Sequence, residues 1–161
     1  MILNAFTFIH VALSLIGIVS GFVVVYGLLA SKRLDGWTML FLTTTVATSL
    51  TGFLFPFHKF LPSHGVGILS LIVLAIAILA RYRFRLAGGW RRTYAISAVL
   101  ALYFNVFVLI VQLFLKIPSL DAIAPTQSEP PFQLAQLVNL VVFAALAIRG
   151  SITFQREAKH A

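Results

Sequence analysis

The sequence predicts an all-α integral membrane protein, a bundle of five transmembrane helices with its N-terminus outside and its C-terminus in the cytoplasm. Three observations carry that reading. Of the 161 residues, 60% are hydrophobic and only 10% charged, with a mean hydropathy of +1.01, whereas a soluble domain is roughly a quarter charged. The apolar residues gather into runs long enough to cross hydrocarbon about 30 Å thick. Lys and Arg are spread very unevenly among the loops between those runs, as a positive-inside bias produces.

The first run, Ala5 to Ala30, is uncharged over about 26 residues, more than the roughly 20 a spanning helix needs. It is a transmembrane helix rather than a signal peptide, because no Lys or Arg precedes it and no small-residue cleavage site follows. A polar turn, Ser31 to Gly36, leads to the second span, Trp37 to Phe57. The stretch Leu54 to Gly65 then forms a hairpin carrying His58 and His64, each shortly after a proline. The third span runs from about Gly65 to Ala80 and ends in the basic stretch Arg81 to Arg85. The fourth, Tyr94 to Ile117, is stopped by Pro118, and the fifth, Phe132 to Ile148, follows Pro130 and Pro131. Residues 149–161 are a short tail.

With five spans the ends of the chain lie on opposite sides, and the basic residues orient them. Lys32, Arg33, Arg81, Arg83, Arg85, Arg91, Arg92, Arg149, Arg156 and Lys159 fall on one side, and only Lys59 and Lys116 on the other. The first side is therefore cytoplasmic. The hairpin with His58 and His64 faces outward, as does the loop Pro118 to Pro131.

Composition also narrows function. Once the spans are counted, no soluble catalytic module fits, so the chain is one transmembrane domain. The net charge of +8 does not point to nucleic acid, because the basic residues flank apolar segments instead of forming a stripe with interleaved aromatics. Arg81, Arg83, Arg85, Arg91 and Arg92 are expected to contact anionic lipid headgroups. The absence of cysteine excludes disulfides, thiolate metal sites, iron–sulfur ligation and covalent c-type haem. No catalytic motif occurs, so enzymatic activity is not expected. There is no internal repeat of the kind that builds many secondary transporters.

Polar residues inside the spans are spaced for helix seams. Thr7, His10, Ser14, Gly17 and Gly21 step by three and four along the first helix, and Ala98, Ala101, Asn105, Val108 and Gln112 do the same along the fourth. Ser14, Gly17, Gly21, Ala98 and Ala101 are expected to pack helices closely, as small residues do in membranes. The hydroxyls of the Thr-rich second span can bond back to their own helix. At about 1.5 Å of rise per residue, His10 lies roughly 7 Å and Gln112 roughly 6 Å below the outer boundary, with Gln136 and Asn139 at a similar level. An intramembrane polar cluster is a functional-site hypothesis by default. The expected ligand pocket is thus His10, Asn105, Gln112, Gln136 and Asn139, beneath the hairpin.

Imidazole ligates iron, zinc and copper, so His10, His58 and His64 are candidate ligands for a haem b or a divalent metal, with His10 paired with His58 or His64 across a haem. His160, in the tail, is expected to be solvated. The loop bearing Asp121, Gln127 and Glu129 is long enough to act as a lid. Two other classes compete with ligand binding. One is an accessory subunit whose seams meet partner helices in a homo-oligomer or larger membrane complex. The other is a small channel or proton-coupled carrier that titrates His10.

Four stretches carry a resemblance: Gly-Phe-Leu-Phe-Pro from Gly52, Pro-Ser-His-Gly from Pro62, Tyr-Phe-Asn-Val-Phe-Val from Tyr103, and Ala-Pro-Thr-Gln-Ser-Glu-Pro-Pro-Phe from Ala124. Over Trp37 to Ile148 the chain resembles small polytopic proteins of proteobacterial inner membranes. The resemblance implies a bacterial inner membrane, with the hairpin in the periplasm, and implies no activity.

Overall fold

A computed structural model describes residues 2–56, 58–60 and 62–157. The element order is α1 (Ile2–Leu29), α2 (Asp35–Gly52), α3 (Pro62–Ile78) with a π turn at Leu79–Arg83, α4 (Trp90–Lys116), the short α5 (Pro118–Ile123) and α6 (Pro130–Glu157). No strand occurs among the described residues. The segments Asn4–Leu29, Pro62–Arg83, Trp90–Lys116 and Pro130–Arg156 are long and apolar enough to cross a membrane, which makes the chain a multi-pass membrane protein. The 18-residue α2 is lower in hydropathy because it carries Thr38, Thr43, Thr44, Thr45, Thr48 and Thr51.

Several boundaries differ from the expected ones, each for a local reason. Pro62 opens α3 and Pro118 opens α5, since a missing N–H and a fixed φ suit the first helical turn. His64 is therefore inside α3 rather than in a loop. At the other end of the chain, Arg149 does not stop α6, which continues to Glu157 with Ser151 and Phe154 buried. Phe57, Lys159 and His160 lie outside the described residues.

Neighbouring helices close a ring: α1 packs on α2, α2 on α3, α3 on α4 and α4 back on α1, while α6 lies outside against α4 and α1. Many hydroxyls of the ring are satisfied within their own helices. Thr44 donates to Leu40 O (2.7 Å), Thr48 to Thr44 O (2.8 Å), Ser20 to Ile16 O (2.6 Å) and Ser97 to Thr93 O (2.7 Å). Polar side chains can therefore face the helix contacts without stranding a donor in an apolar interior.

The bundle has a basic end and a hairpin end, and the tightest packing is toward the basic end. Leu28, Phe41, Ala77, Ala80, Ala98, Leu102 and Phe154 are all at most 1% exposed there. Two of the arginines expected at lipid headgroups turn inward instead. Arg81 is 3% exposed, pairs with Asp35, donates to Arg33 O at 3.2 Å and stacks 5.1 Å from the Tyr94 ring. Arg91 donates to the Phe154 carbonyl, in the last turn of α6, and lies 3.9 Å from its ring, capping a group that the helix itself leaves open. The reason is periodicity: Ser70, Leu74, Ala77 and Arg81 step by four, three and four, so Arg81 continues the buried stripe of α3. Arg83, Arg85 and Arg92 remain exposed.

Candidate functional site

At the hairpin end the ring opens into a cavity of about 560 Å³, walled by α1, α2, α3, α4 and the hairpin. This lies within the roughly 300–1,000 Å³ of small-molecule sites. Its floor is set where α1 packs closely on α2 and α4. A Cβ on Gly17 would meet Thr45 Oγ1 at 3.1 Å and Asn105 Nδ2 at 3.5 Å, and one on Gly21 would meet Leu102 at 2.7 Å and Phe41 at 2.9 Å. The stripe read in α1 thus divides. Thr7, His10 and Ser14 line the cavity, while Gly17 and Gly21 close the seam beneath it, against Asn105 and Leu102 of α4. Asn105 donates to Thr45 at 3.3 Å across that floor. From Asn105 to Lys116 at the rim, α4 rises roughly 16 Å, which is the depth of the site.

His10 and His64 both line the cavity, from α1 and α3 respectively. The hairpin aromatics hold them. Phe55 stands edge-on to His10 at 5.0 Å and packs 4.9 Å from Phe6. His64, buried, lies between Phe53 at 5.8 Å and Phe60 at 5.5 Å. On its other side His10 places Nδ1 2.8 Å from the Thr51 hydroxyl of α2. Ser49 donates to Ser70 at 3.3 Å, tying α2 to α3 along the wall. Gln112 and Lys116 line the cavity toward its mouth. The site is an apolar pocket with a few polar groups at fixed positions, the usual composition of a ligand-binding cavity.

Other residues expected here stand elsewhere. His58 is exposed and does not line the cavity, so the three histidines do not converge. Among the described residues no group of three or more His, Asp or Glu is placed to hold a metal ion. Gln136 and Asn139 occupy the seam between α4 and α6, where Gln136 donates to Phe107 O at 3.1 Å and Asn139 is 6% exposed. Their height on α6 matches that of the pocket, but α4 stands between. Its Asn105, Val108 and Gln112 line the cavity, and its Phe107 carbonyl meets α6. Thr51, Lys116 and the serines of α3 do not stand out in the sequence as residues of the site. A signal for two of them is nevertheless present: Thr51 stands three residues after Thr48, and Ser70 stands four after Val66 and seven after Ser63, so each shares a helix face with residues that line the cavity.

The loop with Asp121, Gln127 and Glu129 docks on the flank of α4, where Gln127 donates to Val111 O at 3.0 Å; none of the three lines the cavity. Within the loop, Glu129 accepts from the Thr126 hydroxyl (2.8 Å), the Thr126 amide (3.2 Å) and the Ser128 amide (3.1 Å). The Thr126 hydroxyl above all holds the Glu129 carboxyl below its ordinary pKa. A lowered carboxylate pKa stabilises the loop at pH values above the ordinary one, and this is lost as the pH falls through the lowered one. Amide exchange at Thr126 and Ser128, corrected for intrinsic rates, is expected to lose protection on acidification, and Glu129→Gln to show the low protection already at neutral pH. Equal protection in Glu129→Gln would remove the carboxylate's role.

No family model, curated protein or solved structure matches the chain.

Proposed function

We propose that the chain is a five-span protein of a bacterial inner membrane, with its N-terminus in the periplasm and its C-terminus in the cytoplasm. In this reading the cavity opens to the periplasm and binds a ligand, most concretely a haem held between His10 and His64. The span count is supported by α2, whose 18 residues reach roughly 27 Å and connect the basic end to the hairpin end. The orientation is supported by the gathering of Lys32, Arg33, Arg81, Arg91 and Arg149 at the end away from Lys59 and Lys116. Exposed apolar side chains such as Phe8, Val19, Leu134 and Val141 are the lipid-facing surface.

The observation that carries the ligand reading is two histidines from separate helices on one largely apolar cavity. Axial ligation of a b-type haem asks for such an arrangement. A divalent metal is less well served, because structural and catalytic zinc sites take three or four protein ligands. The closed floor at Asn105 and Gly17 weighs against a continuous channel. Detergent-purified protein is expected to show a Soret band, or to acquire one on titration with haemin, and to lose it in both His10→Ala and His64→Ala. Colourless protein that takes up no haemin and contains no stoichiometric metal would overturn the haem reading. Stable co-purification with another membrane protein instead would move the assignment to an accessory subunit.

A further inference from the structure

The protons around His10 decide what the cavity offers a ligand. The Thr51 hydroxyl lies 2.7 Å from Ala47 O and 3.2 Å from Thr48 O in its own helix. A carbonyl can only accept, and a hydroxyl has one proton to give. At those distances the Thr51 proton goes to the helix backbone, as threonine hydroxyls within helices commonly do. His10 Nδ1, 2.8 Å from the same oxygen, must then be the donor. A neutral imidazole carries one N–H, so Nε2 is left with a lone pair. It makes no hydrogen bond among the described residues, and His10 lines the cavity.

The polar groups at the floor are partly committed as well. Thr48 gives its proton to Thr44 O and Asn105 gives an amide proton to Thr45. Deep in the site, Thr48 and His10 therefore present acceptor atoms, beside the second amide proton of Asn105. Among the described residues on the lining, the one cation is Lys116, at the rim.

We propose that Thr51 is a positioning residue that holds His10 as its Nδ1–H tautomer, so that the cavity presents a bare Nε2 and selects ligands that bring an electron-pair acceptor to it. Two sources share that chemistry: a metal centre carried by an apolar macrocycle, or the O–H of an amphiphilic phenol. The pairing of one ring nitrogen with a fixed partner while the other faces the ligand is how histidines are oriented at metal sites. A ligand that offers His10 only acceptor atoms meets a lone pair with no proton, which disfavours it at that contact. The ligand half of this proposal rests on the pocket reading above. The tautomer half stands without it.

The ring ¹⁵N spectrum of the full-length protein in detergent, without ligand, tests the tautomer. A His10 signal, assigned by its absence in His10→Gln, is expected with Nδ1 protonated and Nε2 bare. Thr51→Val keeps the branched shape and removes the hydroxyl, and is expected to return His10 to the ordinary Nε2–H form, with Thr51→Ser restoring the native pattern. A protonated Nε2 in the unmodified chain, or an unchanged pattern in Thr51→Val, would overturn the assignment. For the ligand half, 4-nonylphenol is expected to bind about tenfold tighter than 4-nonylanisole, the worth of one hydrogen bond near the upper end of the usual range. That ratio should collapse in Thr51→Val if the O–H is the source. Haemin binding with a six-coordinate spectrum that loosens in Thr51→Val would identify a metal centre as the source. Equal binding of phenol and ether without iron coordination would overturn the selectivity alone. Failure of every probe to bind, with the tautomer as expected, would overturn the ligand half together with the pocket reading.

Discussion

Asp35→Ala is expected to destabilise the detergent-solubilised protein by about 2–3 kcal/mol, below the 3–5 kcal/mol typical of stranding a buried charge. The discount follows from the geometry. The Arg81 side chain is 2% exposed but that of Asp35 is 73% exposed, so water can follow into the vacated position. What remains on the guanidinium is still poor. Nη2 keeps only the Arg33 carbonyl, and Nη1 is already buried without a partner. The charge therefore stays in a place built to hold it neutralised, at the junction of α2, α3 and α4. Arg81→Met keeps most of the stem volume and removes the charge, so the double variant Asp35→Ala/Arg81→Met should be more stable than Asp35→Ala alone. A double-mutant cycle by chemical unfolding in detergent measures the coupling. If Asp35→Ala unfolds like the unmodified protein, the pair does not hold this end together.

Gly27→Ala should lower stability by about 1–3 kcal/mol, the usual penalty of overpacking a closed site. The chain reverses just after this residue. Lys32 donates its amide to Gly27 O at 2.7 Å, and Ser31 and Leu34 take left-handed φ values of 54° and 43°. A Cβ on Gly27 would stand 2.9 Å from the Lys32 carbonyl oxygen and 2.7 Å from a Leu34 methyl. The leucine can rotate away. The backbone carbonyl can move only if the whole turn from α1 into α2 opens, and with it the placement of Asp35. Gly21→Ala meets only side-chain carbons of Leu102 and Phe41, so its effect should be smaller. Gly36→Ala meets nothing within 4 Å and serves as the control. Thermal unfolding in detergent should rank Gly27→Ala lowest in Tm, then Gly21→Ala, then Gly36→Ala, and a Gly27→Ala variant as stable as Gly36→Ala would refute the steric argument.

Part of the candidate site is legible in the residues themselves. His10, Asn105 and Gln112 line one cavity, and their spacing and depth place them on inward stripes at the hairpin end. His64 joins them because Pro62 starts α3 earlier than the apolar run does. The shift of a helix start by three residues moves a histidine from a loop to a buried face. His58, on the other side of the same hairpin, stays exposed. Gln136 and Asn139 show the limit from another direction, since their height is the pocket's but their side faces α4 from outside the ring. Arg81 shows it again, for counting basic residues assigns a charge to an end of the bundle and is blind to whether the side chain turns in or out. Its stripe with Ser70, Leu74 and Ala77 is nonetheless visible in the spacing of those residues.

Height along a helix follows from a backbone rise that every residue shares, so the amino-acid order alone is enough to say which groups belong to which end, and how deep. Rotation about the axis relative to a neighbour, and the identity of that neighbour, depend on contacts between residues far apart in the chain. These include Asn105 with Thr45, His10 with Thr51 and Arg81 with Asp35. No local pattern encodes those pairings. Only the packed ring of α1 to α4 settles them, and with them which nitrogen of His10 is free.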